Sequence, residues 1–440
     1  MAKLDADVAV VGAGPAGIAA ACAACGAGAR VAVVDEQPAP GGQIWRGHPS
    51  AAGRAAIAAL HASPAVVLSG TAVWAAEGDG ATLLTLDASG APGAVRARAV
   101  VVATGAHDRP VAFPGWTLPG VFTAGGAQAL AKGQGVAVGR RVVLAGAGPF
   151  LLPVARELRR AGATVVAVAE ATRRRDWVRQ ATVAGRDPGR LREYGRYRRA
   201  LAGVDLLWGH VVVGADGDEV VESVTLAPCD GAWRPDHGRA RTLAVDAVCT
   251  AYGFVPVVEL ARTLGCALTP QGTVRCDADQ RTTVPRVFVA GEPTGIGGAD
   301  LAGAEGAIAG AAAAAHARAV AAPARPPALE RRRRRHARFA ALLEALFGPR
   351  PGLWELAAPE TVLCRCEDVT AGEVRAAAVG AHGDLAALKQ VTRVGQGPCQ
   401  GRMCGELVAR AAGAAGPYNQ RPPLRPIPLG TLAEVSAPPS

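Results

Sequence analysis

Residues 7 to 35, "DVAVVGAGPAGIAAACAACGAGARVAVVD", carry three glycines at a spacing few folds tolerate. A continuous apolar run stops at Gly12, and an alanine-rich stretch opens directly behind it. Gly12 allows the tight turn after a strand, Gly14 lets the backbone approach a pyrophosphate, and Gly17 permits close contact of helix and strand. Pro15 and Ala16 complete the motif at the helix start, where free N–H groups and the positive dipole end favour an anion. The second strand, "RVAVVDE", ends in Asp35, eighteen residues past Gly17, where a carboxylate accepts both ribose hydroxyls. Glu36 takes that part if the register slips by one. Strand, turn, helix, strand and acid in this order predict a dinucleotide site.

Three later segments point to a flavin rather than a nicotinamide. "PAPGGQI", with Gly41, Gly42 and Gln43, follows the second strand as a backbone-exposing loop. "AVVVATGAHDRP" ends a strand in Ala103, Thr104 and Gly105, a tight exit beside the cofactor. "VFVAGEPTGIGGADLAGAEGAIAG" places Gly291 and the acid Glu292 straight after a strand, where a carboxylate can bond ribityl hydroxyls. With these segments the chain resembles the two-dinucleotide-domain flavoprotein disulfide reductase superfamily, in which they line FAD; the usual acid there is Asp, so Glu292 is a mild departure. The first and last segments lie about 280 residues apart, so the FAD domain is expected to be discontinuous.

The insert repeats the pattern with a flaw. In "GRRVVLAGAGPFLLPVARELRRAGATVVAVAE", Gly146 and Gly148 fill the first two positions, but Leu151 stands where the third glycine belongs. A side chain there pushes the helix off the strand. Glu170 can still hold a ribose, and Arg173 to Arg175 either serve a phosphate or are solvated. NAD(P), another nucleotide and an empty pocket all remain open for this lobe. Cys22 and Cys25 form a C-x-x-C one turn apart on a helix packed against a sheet, which reads as buried structural thiols.

At 440 residues the chain has room for about three domains. Of its net charge of +10, five charges lie in the run Arg331 to Arg335 after a proline-rich stretch, which reads as a solvated linker or helix face. No basic-aromatic interleaving points to nucleic acid. The first apolar run lacks a basic leader, and no stretch reads as a membrane span, so a cytoplasmic location and mostly reduced cysteines are expected.

The tail carries the second chemistry. "CRCEDVT" holds Cys364 and Cys366, and "GPCQGRMC" holds Cys399 and Cys404. Thr370 and Glu373 spell a capping box, Asp384 caps a second helix, and a glycine-opened loop leads into "GELVARAAGAA", so both pairs are expected at or beside helix starts. Four thiolates in two local pairs bind zinc or a [2Fe-2S] cluster. Zinc pairs are usually two to four residues apart, which C-x-C with C-x4-C fits poorly; the cluster is favoured, with zinc and unliganded thiols as alternatives.

A flavoprotein front joined to "CRCEDVT...KQVTRVGQGPCQGRMC" resembles, over nearly the whole chain, the FAD-containing A or alpha subunits of multi-subunit amine dehydrogenases. These include opine oxidase, hydrogen cyanide synthase, and heteromeric D-hydroxyproline, L-proline and sarcosine enzymes, whose tail is similar to the bacterioferritin-associated ferredoxin fold. The stretch "ATGAHDRPVAFPGWTLPGVFTAGGAQAL" shares that likeness; Gln396, where the family tends to have Met, departs from it. The resemblance implies that Cys364, Cys366, Cys399 and Cys404 hold a [2Fe-2S] cluster. It implies too that the amine is oxidised on a smaller FAD-containing partner in a hetero-oligomer, in which a small ferredoxin-like protein is a further candidate partner. The residues offer no general base and no catalytic side chain for the amine.

The expected architecture is α/β: two Rossmann-like lobes plus a small helical iron–sulfur domain. Residues 1–125 and 246–322 form the FAD domain, 126–245 the inserted lobe, 323–360 a linker, 361–416 the cluster domain and 417–440 a tail. The alternatives are a self-sufficient NAD(P)H-dependent reductase and a scaffold with vestigial cofactors.

Overall fold

In the computed structural model, which describes residues 2–47, 49–77, 81–176, 192, 195–197, 199–414 and 422–436, the glycine turns sit between strand and helix. The chain runs β1 (Ala2–Val11), α1 (Pro15–Gly26), β2 (Val31–Asp35), β3 (Val66–Ser69), β4 (Thr71–Glu77), β5 (Thr82–Asp87), β6 (Pro92–Val102) and β7 (Val121–Thr123). It continues through β8 (Arg141–Gly146), α2 (Leu151–Arg160), β9 (Thr164–Glu170), β10 (Asp205–Trp208), β11 (Ala247–Ala251) and β12 (Val287–Val289). Five helices close the order: α3 (Ala299–Ala317), α4 (Pro327–Phe347), α5 (Ala371–Ala381), α6 (Leu385–Thr392) and α7 (Gly405–Ala411), ahead of a last one, α8 (Leu429–Ser436).

These elements form two compact units, one made of Met1–His107, Val255–Ala341 and Gln420–Ser440, the other of Asp108–Phe254 and Leu342–Asn419. The expected tail segments 417–421 and 437–440 lie outside the described residues.

In the first unit the strands are ordered β3-β2-β1-β6-β5-β4, and β12 pairs with the end of β6. β1, β2, β6 and β12 are parallel, and their apolar runs are buried on both faces, as parallel strands require. α1 lies against α3 backbone to backbone. A Cβ on Gly306 or Gly310 would stand 2.0 Å from the carbonyl oxygen of Ala16 or Ala20, so the alanine-rich composition serves close helix approach rather than bulky packing. Leu424 is buried in the sheet core with Val34 and Val100, and its N–H donates to the Trp74 carbonyl at 2.7 Å.

In the second unit the parallel sheet runs β10-β9-β8-β11-β7, and an antiparallel ribbon of residues 210–216, 223–228 and 241–244 accompanies it. The cysteine segment shares a core with this lobe: Leu353, Leu363, Val374, Leu388 and Leu407 cluster with Trp116, Trp233 and Tyr252. Trp116 Nε1–H donates to the Val362 carbonyl at 2.6 Å, the Gly352 N–H donates to the Ala232 carbonyl at 2.9 Å, and Arg234 pairs with Glu355 at 3.0 Å. Residues 323–360 are largely helical: α4 carries the five arginines, with Glu330 pairing Arg333 and Arg334. Among the described residues no helix is long and apolar enough to cross a membrane.

Candidate cofactor sites

The front cradle is built from backbone. Gly12, at φ +103°, turns against β6, where a Cβ would meet the Ala103 oxygen at 2.3 Å; a Cβ on Gly17 would sit 1.7 Å from the Gly12 oxygen. Gly14 precedes α1 and packs on Gly42, where a Cβ would stand 2.9 Å from the Gly14 Cα, and the Gly41 N–H holds that loop to the Ala13 carbonyl at 2.8 Å. The exit of β6 is fixed by Thr104 Oγ1–H, which donates to the Val257 carbonyl at 2.6 Å, and by the Val257 N–H, which donates to the Gly105 carbonyl at 2.9 Å. Gly291 packs on Ala16, where a Cβ would lie 2.9 Å from that methyl. The fold thus gathers Gly12, Gly14, Pro15, Ala16, Gly17, Asp35, Gly42, Ala103 and Gly291 around one turn, with Gln43 exposed at its rim.

The acids of this cradle are engaged by backbone. Asp35 is buried, and its carboxylate accepts the Ala13 N–H and, at 2.7 Å, the Gln37 N–H. Burial raises its pKa above the usual carboxylate value, against the pull of those two bonds. Glu36 is exposed and pairs with Arg425. Glu292 accepts the N–H groups of Gly297 at 3.0 Å and Gly298 at 2.9 Å, closing the loop ahead of α3, and burial raises its pKa as well. Sequence reasoning missed Glu305, which accepts the Gly291 N–H and the Thr294 hydroxyl, both at 3.0 Å. Burial pushes it up to about 7. Its signal was a lone acid inside an alanine-rich helix, too common to single out.

The four tail cysteines come together. Cys364 ends the strand Val362–Cys364, paired with Val369–Thr370, so the first pair lies on a hairpin whose second strand runs straight into the capped start of α5, beside a helix start as expected; Cys404 immediately precedes α7. Cys366 neighbours Cys399, Cys399 neighbours Cys404, and Cys404 neighbours Cys364. The Cys404 thiol, with N–H groups of Met403 and Gly401 and the Cys366 thiol, holds Cys399 down at about 4; the Cys399 sulfur and burial push Cys404 far up. Gly397 seats one loop on the other, since a Cβ there would lie 2.2 Å from the Cβ of Cys366. Arg393–Glu367 and Arg109–Glu406, both at 2.8 Å, pin the two cysteine loops, and Gln396 bonds the Lys389 carbonyl, away from the thiols. The capping box of Thr370 and Glu373 and the Asp384 cap are formed.

Both cofactor types fit their sites. Only the backbone of Gly42 meets the place of a Gly14 Cβ, so the turn is walled by glycine backbone without side chains, which suits the close approach of a pyrophosphate. Among the described residues no three His, Cys, Asp or Glu side chains converge on a single metal position; four soft thiols in neighbouring pairs suit two irons, each taking two. Cys22 and Cys25, by contrast, lie half-buried on α1, and burial raises both thiols.

Comparison with known proteins agrees. The pyridine nucleotide-disulphide oxidoreductase family matches residues 6–318, and the BFD-like [2Fe-2S] binding domain matches residues 362–410. The opine oxidase A subunit of Agrobacterium tumefaciens (strain Ach5) is 34% identical, over 98% of this chain and 92% of that protein. The hydrogen cyanide synthase subunit HcnB of Pseudomonas aeruginosa is 35% identical, over 97% of this chain and 98% of the relative. In fold, the L-proline dehydrogenase of P. horikoshii superposes with a TM-score of 0.69 at 22% identity, covering 98% of this chain and 80% of that one.

Proposed function

Because the chain belongs to the pyridine nucleotide-disulphide oxidoreductase family, and within it to the relatives of the opine oxidase A subunit, we propose that it is the electron-transferring component of a multi-subunit amino- or imino-acid dehydrogenase. The chain is an FAD-dependent oxidoreductase with a [2Fe-2S] domain, and its relatives are subunits of larger enzymes. In this reading the C–N bond of a proline-, hydroxyproline-, sarcosine- or opine-like substrate is oxidised on a partner subunit.

One observation carries this reading. The acids of the cradle, buried Asp35 and Glu305 and half-buried Glu292, all accept backbone N–H bonds, so they hold loops in place instead of standing ready to take a proton from an amine. The cofactors, when bound, supply two-electron and one-electron redox chemistry. The chain's own residues bind and orient. Gly12, Gly14 and Gly17, with Gly42 and Gln43, shape the pyrophosphate seat; Ala103, Thr104 and Gly105 set the exit of β6; and Gly291 with Glu292 closes the far wall. Cys364, Cys366, Cys399 and Cys404 are assigned as the iron ligands, with Arg109 and Glu406 holding the start of α7.

Co-expression with a small flavoprotein partner tests the proposal. The expected result is amine-dependent dye reduction by the complex across proline, hydroxyproline, sarcosine and opine substrates, and none by this chain alone. Amine oxidation by the isolated chain overturns it.

A further inference from the structure

The two glycine turns begin alike, Gly-Ala-Gly-Pro, and fold differently. In the first, the positive φ falls on Gly12 at +103°, and α1 begins at Pro15. In the second it falls on Gly148 at +99°, and α2 begins only at Leu151, although Pro149 matches Pro15. The cause is local. A Cβ at Gly17 would lie 1.7 Å from the Gly12 oxygen, so a leucine in the matching place cannot share that geometry. The chain gives up the first helical turn, and Leu151 is buried instead among Val154 and Leu158. The N–H groups that a helix start would offer an anion are displaced with it.

A second observation is independent of the first. Phe347, the last residue of α4, packs on Gly148, where a Cβ would stand 3.2 Å from its Cγ and 3.5 Å from its Cδ2. At Gly14 the corresponding space meets only the Cα of Gly42, at 3.8 Å. The room a pyrophosphate needs over the second glycine is therefore filled by an aromatic ring that is 8% exposed. The Gly148 N–H is turned to Glu170, which accepts it at 2.9 Å.

We propose that the dinucleotide seat of the second lobe has become a socket for Phe347, which docks the cysteine segment onto the lobe, and that this lobe takes no nicotinamide nucleotide. The inference goes beyond the function proposed above and does not depend on the identity of the amine. Electrons then arrive at this chain from a partner rather than from NAD(P)H.

Titrating the flavin-loaded protein with NADH, NADPH and ADP by calorimetry, up to about 1 mM, tests the closed seat. No saturable heat is expected, and anaerobic NADH leaves the flavin oxidised. Saturable binding that Gly148→Val removes, or rapid bleaching by NADH, overturns it. The docking role is read from iron loss to a chelator, expected to be several-fold faster in Phe347→Ala and near wild type in Phe347→Leu; equal rates in all three overturn it. If Phe347→Ala fails to fold, the wild-type titration still decides the closed seat, and Phe347→Val, which leaves most of the ring's place unfilled, takes its place in the iron-loss comparison. A protein that lacks flavin defeats the electron-transfer reading alone, because nucleotide binding sensitive to Gly148→Val still reports on the socket.

Discussion

A Cβ on Gly397 would stand 2.2 Å from the Cβ of Cys366, nearer than side-chain atoms pack. Gly397→Ala therefore separates the two cysteine loops. The expected outcome is loss of most iron and of the visible cluster absorbance, with flavin content unchanged. Glu305 gives a second test, through pH. Its pKa rises from 4.5 to about 7, so the folded state binds this proton more tightly than the unfolded chain. Stability from this group is fully present below about 4.5 and is lost as pH rises to about 7, by up to about 3 kcal/mol. Urea unfolding of Glu305→Gln at pH 5 and pH 8 should show a flatter pH dependence than wild type; an unchanged slope removes Glu305 as its source. The cysteines were legible because thiolates are the common ligands of such a cluster and these four fall in two local pairs. Glu305 was not, because its role depends on which face of α3 meets the Gly291 turn.

Where α1 crosses α3, the helices touch through Gly306 and Gly310. Gly310→Val inserts atoms where a Cβ already falls 2.0 Å from the Ala20 oxygen, and should cost about 3 kcal/mol in denaturant unfolding while loosening the flavin. Thr370→Ala removes one half of a formed capping box and should cost about 1 kcal/mol, with iron retained. Local signals of this kind were readable. The cap residues before α5 and α6 contact groups two or three positions away, and Leu151 foretold trouble at α2 because the missing glycine is a local steric fact. The hairpin carrying Cys364 was not readable, since strands of three and two residues are too short to show a period and their pairing is set by the surrounding core.

At the scale of the molecule, removing iron by chelation from the partnered enzyme should stop electron flow from amine to acceptor and leave the flavin in place. Retained flow would mean that the cluster lies off the path. The sequence alone determined the dinucleotide fold of both lobes and the clustering of four thiols, because close backbone approach demands glycine and soft-metal binding demands cysteine, whatever surrounds them. It took the three-dimensional packing to settle that the cysteine segment and the inserted lobe share one core, that Phe347 covers Gly148, and that the cradle's acids hold loops. The first two rest on contacts between segments more than 100 residues apart in sequence, made by apolar side chains and backbone groups that many positions supply equally, so their pairing is settled by packing and not by residue type; the acids bond nearby backbone, but which loop each one closes follows from how the turn folds.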